Sequence, residues 1–180
     1  FKSAKKKKKR KNNFLGQIVA DNSFIAKRNE AVLSSGIILK SDHFPQGLKK
    51  NLEQWRIRGA PNFRQAIGSR SNIYGVAQPS VYGMRAILNL MKTSSKKKKT
   101  EILWINLREE PVIFINNVPY LLREFKNPFR NMSDFEGIDS NRLAEIETRL
   151  KVDILKEASD NNNNILVHDE EDGGIVPYFC

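Results

Sequence analysis

The stretch ILWINLREEPVIFINNVPYLLREF, residues 102–125, places two apolar runs on either side of a charged turn. Residues 102–107 are apolar at nearly every position, which is typical of a strand buried within a sheet. Three charges and a proline follow at residues 108–111. The second run contains Asn116-Asn117, and because Asn tolerates positive φ, this pair predicts a tight hairpin.

Upstream of this stretch, NIYGVAQP at residues 72–79 predicts a short strand, and SVYGMRAILNLMK at residues 80–92 predicts a helix with Ser80 as a candidate N-cap. The apolar residues of the predicted helix recur at helical spacing: Val81, Met84, Ile87, Leu88 and Met91. Strand, helix and strand over residues 73–107 predict a βαβ unit, which implies a parallel sheet.

Downstream, DSNRLAEIETRLKVDILKEA at residues 139–158 predicts a long helix that Asp139 or Ser140 can cap. One face of this helix is apolar: Leu143, Ile146, Leu150, Ile154 and Ala158. Two strands are predicted after it, ILVHDE at residues 165–170 and IVPYF at residues 175–179. Together the elements predict one α/β domain.

The charge of the chain is concentrated at one end. Of the 31 basic residues, eight fall within residues 1–11, so the net charge of +11 comes mostly from this segment. We expect residues 1–13 to be a disordered Lys-rich tail, because blocks of like charge repel one another. Nuclear import and binding to an anionic surface stay open as roles for the tail. Nucleic-acid binding is disfavoured except non-specifically through this tail, because the rest of the chain is only mildly basic.

Cysteine and histidine are scarce, with one Cys180 and two histidines. A disulfide within the chain is excluded, and a zinc site is disfavoured. No apolar run reaches the length that spans a membrane, and the basic start is not followed by an apolar signal core. We expect a cytoplasmic protein, with the nucleus also open, and the oligomeric state cannot be read from the sequence.

Arg108 and Glu109 follow directly after a predicted strand, where ligands of α/β proteins sit. A guanidinium there is suited to bidentate contact with phosphate. The alternative is that Arg108 and Glu109 form a structural ion pair that holds the following hairpin. Both interpretations stay open at this point.

Two further segments offer candidates. Arg64 lies in PNFR, on a loop framed by Gly and Pro, and is a second candidate for binding an anion. The alternative is that Arg64 is an ordinary surface arginine, with Phe63 as the anchor of the loop. Lys40 and His43 lie in LKSDHF after a short apolar run; for His43, as for His168 in LVHDE, a structural role is the alternative. The chain has no Gly-x-x-x-x-Gly-Lys, Gly-x-Ser-x-Gly or Cys-x5-Arg pattern. From the residues alone, the prediction is an anion-binding α/β domain.

Several segments in this order resemble one known family: VLSSGIILKSDHFP, GAPNFRQA, YGVAQPSVYGMRAILNLM, ILWINLREEPVIFINNVPYLLRE, PFRN, GID, RLAEIETRLKVDILKEA and ILVHDE. The order is similar to paladin and the protein-tyrosine-phosphatase-like phytases, which are cysteine-dependent inositol polyphosphate phosphatases. The resemblance runs from about Val32 to about Val176 and rests most on NLREEP followed by INNVPYLLRE.

The resemblance implies a phosphatase-like, mostly parallel central sheet with flanking helices. It implies a thiolate nucleophile in a Cys-x5-Arg loop, an aspartate that protonates the leaving oxygen, and no metal or other cofactor. The substrate would be an inositol polyphosphate or a phosphotyrosine protein. Arg64 and Arg108 would lie near it, with Glu109 orienting an arginine.

The chain departs from the family in one respect. In the family the nucleophile and aspartate loops follow the VHDE strand, whereas Cys180 here has no arginine behind it. We therefore expect a fragment, with residues 32–180 forming the N-terminal half of the domain, incomplete at its C-terminus and without catalytic residues. Two functions stay open: the chain is part of a phosphatase, or it is a non-catalytic phosphate-binding pseudophosphatase. Whether the intact protein is an enzyme stays open with them.

Overall fold

A computed structural model of the chain describes residues 23–41, 57–66, 72–94, 101–169 and 174–180. The predicted tail at residues 1–13 and the candidate His43 lie outside them. The chain divides into two compact units. The first contains Phe1–Ser41, Glu109–Ile113 and Tyr120–Cys180, and the second contains Asp42–Arg108 and Phe114–Pro119.

A five-stranded sheet holds most of the described strands: β1 (Ile37–Ser41), β4 (Val112–Ile115), β5 (Val118–Glu124), β6 (Asn164–Asp169) and β7 (Gly174–Phe179). The strand order is β4-β5-β1-β6-β7. Strand β1 runs antiparallel to β5 and parallel to β6, and β6 runs antiparallel to β7. The sheet is therefore mixed, and the expectation of a mostly parallel sheet is wrong. The physical reason is that connections as short as those between β4 and β5, and between β6 and β7, produce antiparallel neighbours.

The hairpin turn between β4 and β5 confirms the prediction made from the asparagine pair. Asn116 and Asn117 have φ angles of 49° and 69°. Two successive positive φ angles are the geometry of the turn that matches the twist of a two-residue hairpin. The carbonyl oxygen of Asn117 also accepts a hydrogen bond from the Val81 N–H at 3.2 Å.

The long helix of the first unit, α3 (Ser140–Asp160), is confirmed together with its cap. The Asp139 carboxylate accepts hydrogen bonds from the N–H groups of Asn141 and Arg142. The buried residues of α3 are Leu150, Asp153, Ile154, Glu157 and Ala158. The first unit also contains a short helix, α1 (Ser23–Ala26), and a 3-10 turn (Ser133–Phe135). The described residues thus form an α/β fold with helices beside a sheet, and none of their helices is long and apolar enough to cross a bilayer.

Two buried acidic residues of α3 hold the segment before β1. Glu157 accepts hydrogen bonds from the Arg28 guanidinium at 2.7 and 2.8 Å, and the two side chains are 6% and 3% exposed. Arg28 also donates to the carbonyl oxygens of Ile37 and Leu166. One Asp153 oxygen accepts from the N–H groups of residues 32 and 33 at 2.7 and 3.0 Å. These charges satisfy backbone groups and one another, as buried charges must.

The second unit is built on α2 (Val81–Ser94) and a two-stranded antiparallel sheet, β2 (Arg64–Gln65) with β3 (Tyr74–Gly75). Its buried core is formed by Ala60, Phe63 and Ile87. The Ser80 oxygen accepts from the Gly83 N–H at 3.1 Å, which confirms Ser80 as the N-cap of α2. The predicted helix is confirmed, but β3 pairs antiparallel with β2, so the predicted βαβ unit is wrong.

The apolar run at residues 102–107 does not form the predicted buried strand. Residues 101–109 contain no helix or strand, and the exposed fractions of Leu103 and Leu107 are 85% and 89%. The prediction failed because an apolar run indicates that a segment favours burial but does not determine which strands will pair with it. A strand of this kind needs neighbours on both edges and cover on both faces, and within the described residues none pairs with it.

Gly83 allows α2 to approach the loop before β2 closely. A Cβ added at Gly83 would lie 1.9 Å from the carbonyl oxygen of Gly59. Alanine favours a helix over glycine by about 1 kcal/mol, but overpacking against backbone costs about 1–3 kcal/mol. We expect Gly83→Ala to destabilise the protein in thermal unfolding followed by circular dichroism. Gly174→Ala is the matched control, because a Cβ there meets nothing within 4 Å; equal midpoints for the two variants would contradict the close approach.

Candidate functional site

The carboxyl ends of β1 and β6 bring two of the singled-out basic residues together. These strands are parallel neighbours, and Lys40 lies directly opposite His168 in their register. Lys40 is 5% exposed, and its Nζ lies 3.4 Å from the carbonyl oxygen of Ser41. In α/β sheets this edge is where ligands bind. The parallel pairing therefore places a buried ammonium and an imidazole side by side at the edge where a ligand is expected.

The ring of Phe129 lies over this pair. Its centroid is 5.4 Å from the Lys40 Nζ and 5.4 Å from the centroid of the His168 ring, which it meets edge-on at 85°. An ammonium at this distance is attracted to the face of an aromatic ring. The ring itself is 76% exposed. A buried cation is thus covered by a side chain that is mostly in solvent.

The opposite face of the same strand ends carries acidic and phenolic groups. The Ser41 hydroxyl donates to Asp169 at 3.4 Å, and the Tyr120 and Tyr178 rings meet edge-on at 5.3 Å. Burial, and next the neighbouring Tyr178, raise the pKa of Tyr120 far above its usual value. Tyr120 therefore stays protonated and cannot serve as a general base. Since successive strand side chains alternate in direction, this group and the Lys40–His168 pair lie on different faces.

Arg64 lies on β2 in the second unit and is exposed. Its Nη1 donates to the carbonyl oxygen of Asn62 at 2.9 Å. Its guanidinium lies over Gly75 on the paired strand, where an added Cβ would be 3.2 Å from the Arg64 Cζ. The guanidinium thus has a defined position on the hairpin while its surface is accessible to an anion.

Arg108 and Glu109 lie in the irregular stretch before β4, with Arg108 half-buried and Glu109 exposed. The Arg108 N–H donates to the side-chain oxygen of Asn106 at 3.1 Å. The next residue, Glu110, forms a short ion pair with Arg123 of β5. An ion pair that holds the hairpin is therefore present, and it uses Glu110 from the charged cluster.

The two units divide the predicted site residues. Lys40 and Glu109 belong to the first unit, and Arg64 and Arg108 belong to the second. The assignment of these residues to a single phosphate site stays a prediction. The sequence analysis did not single out Phe129, and for His168 it left both a functional and a structural role open. His168 lies beside Lys40 because of the register between β1 and β6, and a local sequence pattern cannot predict that register.

Cys180 follows β7, and its N–H donates to the carbonyl oxygen of Asn163 at 2.8 Å. Burial raises the pKa of its thiol, and the Glu157 carboxylate raises it further. A cysteine nucleophile requires the opposite shift, because the thiolate is the reactive form. The surroundings of Cys180 therefore favour the thiol over the thiolate. The described residues also contain no group of three or more His, Cys, Asp or Glu side chains arranged to hold a metal ion.

Comparison with known families identifies the region that contains these groups. Residues 105–178 match the sequence model of the protein-tyrosine-phosphatase-like phytases. The description of that family reads inositol hexakisphosphate. Over these residues the chain is similar to the protein-tyrosine-phosphatase-like phytase family. The resemblance stated from the sequence is confirmed. The phytase-like match includes Arg108, Glu109, Phe129 and His168, whereas Arg64 and Lys40 precede it.

Curated relatives of this phytase-like chain include paladins from several vertebrates. The paladin of Xenopus tropicalis is 32% identical over 133 aligned positions, which cover 63% of this chain and 15% of the relative. The paladin of Gallus gallus is 36% identical, covering 53% of this chain and 10% of the relative, and that of Homo sapiens is 30% identical, covering 63% and 13%. The chain therefore spans only a small part of each relative's length. No solved structure matches it significantly.

Proposed function

We propose that the chain is the phosphate-binding half of a cysteine-dependent phosphatase domain that hydrolyses phosphate monoesters of inositol polyphosphates or phosphotyrosine proteins. The observation that carries the proposal is the family match over residues 105–178. The Cys-x5-Arg pattern does not occur in these 180 residues. In this proposal the thiolate and the proton-donating aspartate come from outside residues 32–180, and these residues supply binding.

The proposed ligand class fits the chemistry of the candidate residues. Each phosphate monoester carries about −1.5 to −2 charge near neutral pH, so an inositol polyphosphate needs several cations around it. Arg64, Arg108 and Lys40 are each candidates for such a cation, as is His43, which lies outside the described residues. An arginine binds a phosphate through two parallel N–H donors when its plane is fixed. In the proposal Glu109 fixes that plane.

A second candidate function is a phosphate-binding pseudophosphatase without catalysis. It rests on the residues of this chain alone: its single cysteine, Cys180, is not part of a Cys-x5-Arg pattern, and burial raises the pKa of the Cys180 thiol. The two candidates differ in one measurable property of the intact protein. Hydrolysis of a phosphate monoester that requires a cysteine beyond residue 180 supports the phosphatase, and binding without hydrolysis supports the pseudophosphatase.

The binding role is tested by Arg108→Ala. Loss of hydrogen bonds to a charged group costs about 1.5–3 kcal/mol, so we expect affinity for myo-inositol hexakisphosphate to fall by about 10- to 100-fold. Isothermal calorimetry at physiological salt measures this, with the Lys-rich tail present in every variant so that its contribution cancels. Arg85→Ala is the matched control, since it removes one exposed arginine from the same unit. Equal affinities for the two variants contradict the assignment of Arg108.

A further inference from the structure

The arrangement of Lys40, His168 and Phe129 defines a place where one phosphate can be held. Lys40 and His168 are cross-strand neighbours, so their polar ends point from the same face at the carboxyl edge of the sheet. An ammonium and an imidazole both supply donors to phosphate oxygens. The pair comes from two strands locked in register, so its spacing is set by the backbone, which gives a pre-organised pair of donors.

Phe129 borders this pair. Its ring occupies the position over the Lys40 Nζ, at 5.4 Å, and borders the His168 ring at the same distance. Its high exposure means that few neighbouring side chains pack against the ring. The segment that carries it is tethered nearby, because Asn131 accepts a hydrogen bond from the Arg123 Nη2 at 3.1 Å. Rotation of the phenyl ring can therefore move it away from the Lys40 Nζ while the backbone of the segment stays in place.

We propose that Lys40 and His168 form a subsite for one phosphate group of an inositol polyphosphate, and that Phe129 is a cap that competes with this phosphate for the Lys40 ammonium. The subsite deepens the proposed function and rests on it. It adds His168 and Phe129 to the residues that determine affinity. The cap contributes specificity, because only an anion that interacts with Lys40 more strongly than the ring does can displace it.

The competition between ring and phosphate predicts effects of opposite sign. Removing the cap by Phe129→Ala is expected to tighten binding of myo-inositol hexakisphosphate by about 3- to 10-fold. Removing the charge by Lys40→Met is expected to weaken it by at least about 10-fold, and His168→Gln by a smaller factor. General loss of structure cannot produce the tighter binding of the first variant. Lys156→Met, which removes an exposed lysine from α3, is the control for net charge.

The experiment combines calorimetry with NMR of the histidine rings in the whole 180-residue chain. The chain has two histidines, and the signal that disappears in His168→Gln belongs to His168. We expect this signal to shift on addition of myo-inositol hexakisphosphate, to stay in place with unphosphorylated inositol, and to lose its response in Lys40→Met. If the ligand binds while the His168 signal does not move and Phe129→Ala binds no more tightly, the subsite is overturned and the proposed function survives. If the wild-type chain does not bind the ligand, both are overturned.

Discussion

Glu157→Gln is expected to destabilise the first unit by about 3–5 kcal/mol, because it leaves the Arg28 guanidinium buried without a charged partner. The Arg28–Glu157 ion pair is more buried than the Arg123–Glu110 and Lys156–Glu30 pairs of the described residues. Two nitrogens of Arg28 meet the two oxygens of Glu157 at 2.7 and 2.8 Å, and the side chains are 3% and 6% exposed. Glutamine keeps the size and shape of the side chain, so the change isolates the charge.

The pair also connects three elements, which raises the cost of losing it. Arg28 donates to the carbonyl oxygens of Ile37 at the start of β1 and Leu166 in β6. Glu157 accepts from the Leu166 N–H at 3.4 Å. A shift of the guanidinium towards water would break these bonds and expose buried acceptors. The segment before β1, helix α3 and strand β6 are therefore expected to loosen together.

Urea denaturation followed by circular dichroism measures the loss. The internal control is Lys156→Met, which breaks the ion pair that Lys156, on the same helix as Glu157, forms with Glu30 in the segment before β1. That pair has a similar distance, 2.8 Å, but the lysine side chain is 59% exposed, so its loss is expected to leave the midpoint nearly unchanged. Equal shifts of the urea midpoint for Glu157→Gln and Lys156→Met would refute the claim that burial makes the Arg28–Glu157 pair more stabilising than the Lys156–Glu30 pair.

The sequence predicted best those elements whose signal is local. Helix α3 was predictable because an apolar face at helical spacing and a capping aspartate lie within one segment. The β4–β5 turn was predictable because the conformation of Asn116 and Asn117 depends on those residues themselves. Asp153 and Glu157 could not be recognised as buried, since their partners lie more than 100 residues away and acidic residues on a helix ordinarily face water.

The exposure of residues 102–107 and the pairing of Lys40 with His168 could not be predicted from the sequence, and the physical reason is the same. An apolar run tells that a segment should be buried, but strand partners are chosen by the whole chain, and the described residues give residues 102–107 none. Lys40 was singled out from its position after an apolar run. Its neighbour His168 is brought to it by a parallel register across 128 residues, which a local pattern cannot encode.

Arg123→Met is expected to cost about 3 kcal/mol, because it leaves Glu110 largely buried without its partner. Arg123 is 5% exposed, and it donates to both oxygens of Glu110, to Asn131 and to the carbonyl oxygen of Leu122. The guanidinium thus joins the segment before β4 to the segment after β5. Arg123→Lys tests the geometry, since an ammonium keeps the charge but cannot make the bidentate contact.

The same pair decides how the charged cluster at residues 108–110 should be interpreted. If Arg123→Met lowers the stability and Arg108→Ala does not, Glu110 holds the hairpin and Arg108 does not. Hydrogen exchange of the β4 and β5 amides separates these effects, because loss of the Glu110 pair should speed exchange in both strands. Slow exchange retained in Arg123→Met would mean that the hairpin is held by its strand pairing alone. The Glu110–Arg123 ion pair would then not be needed to hold the hairpin.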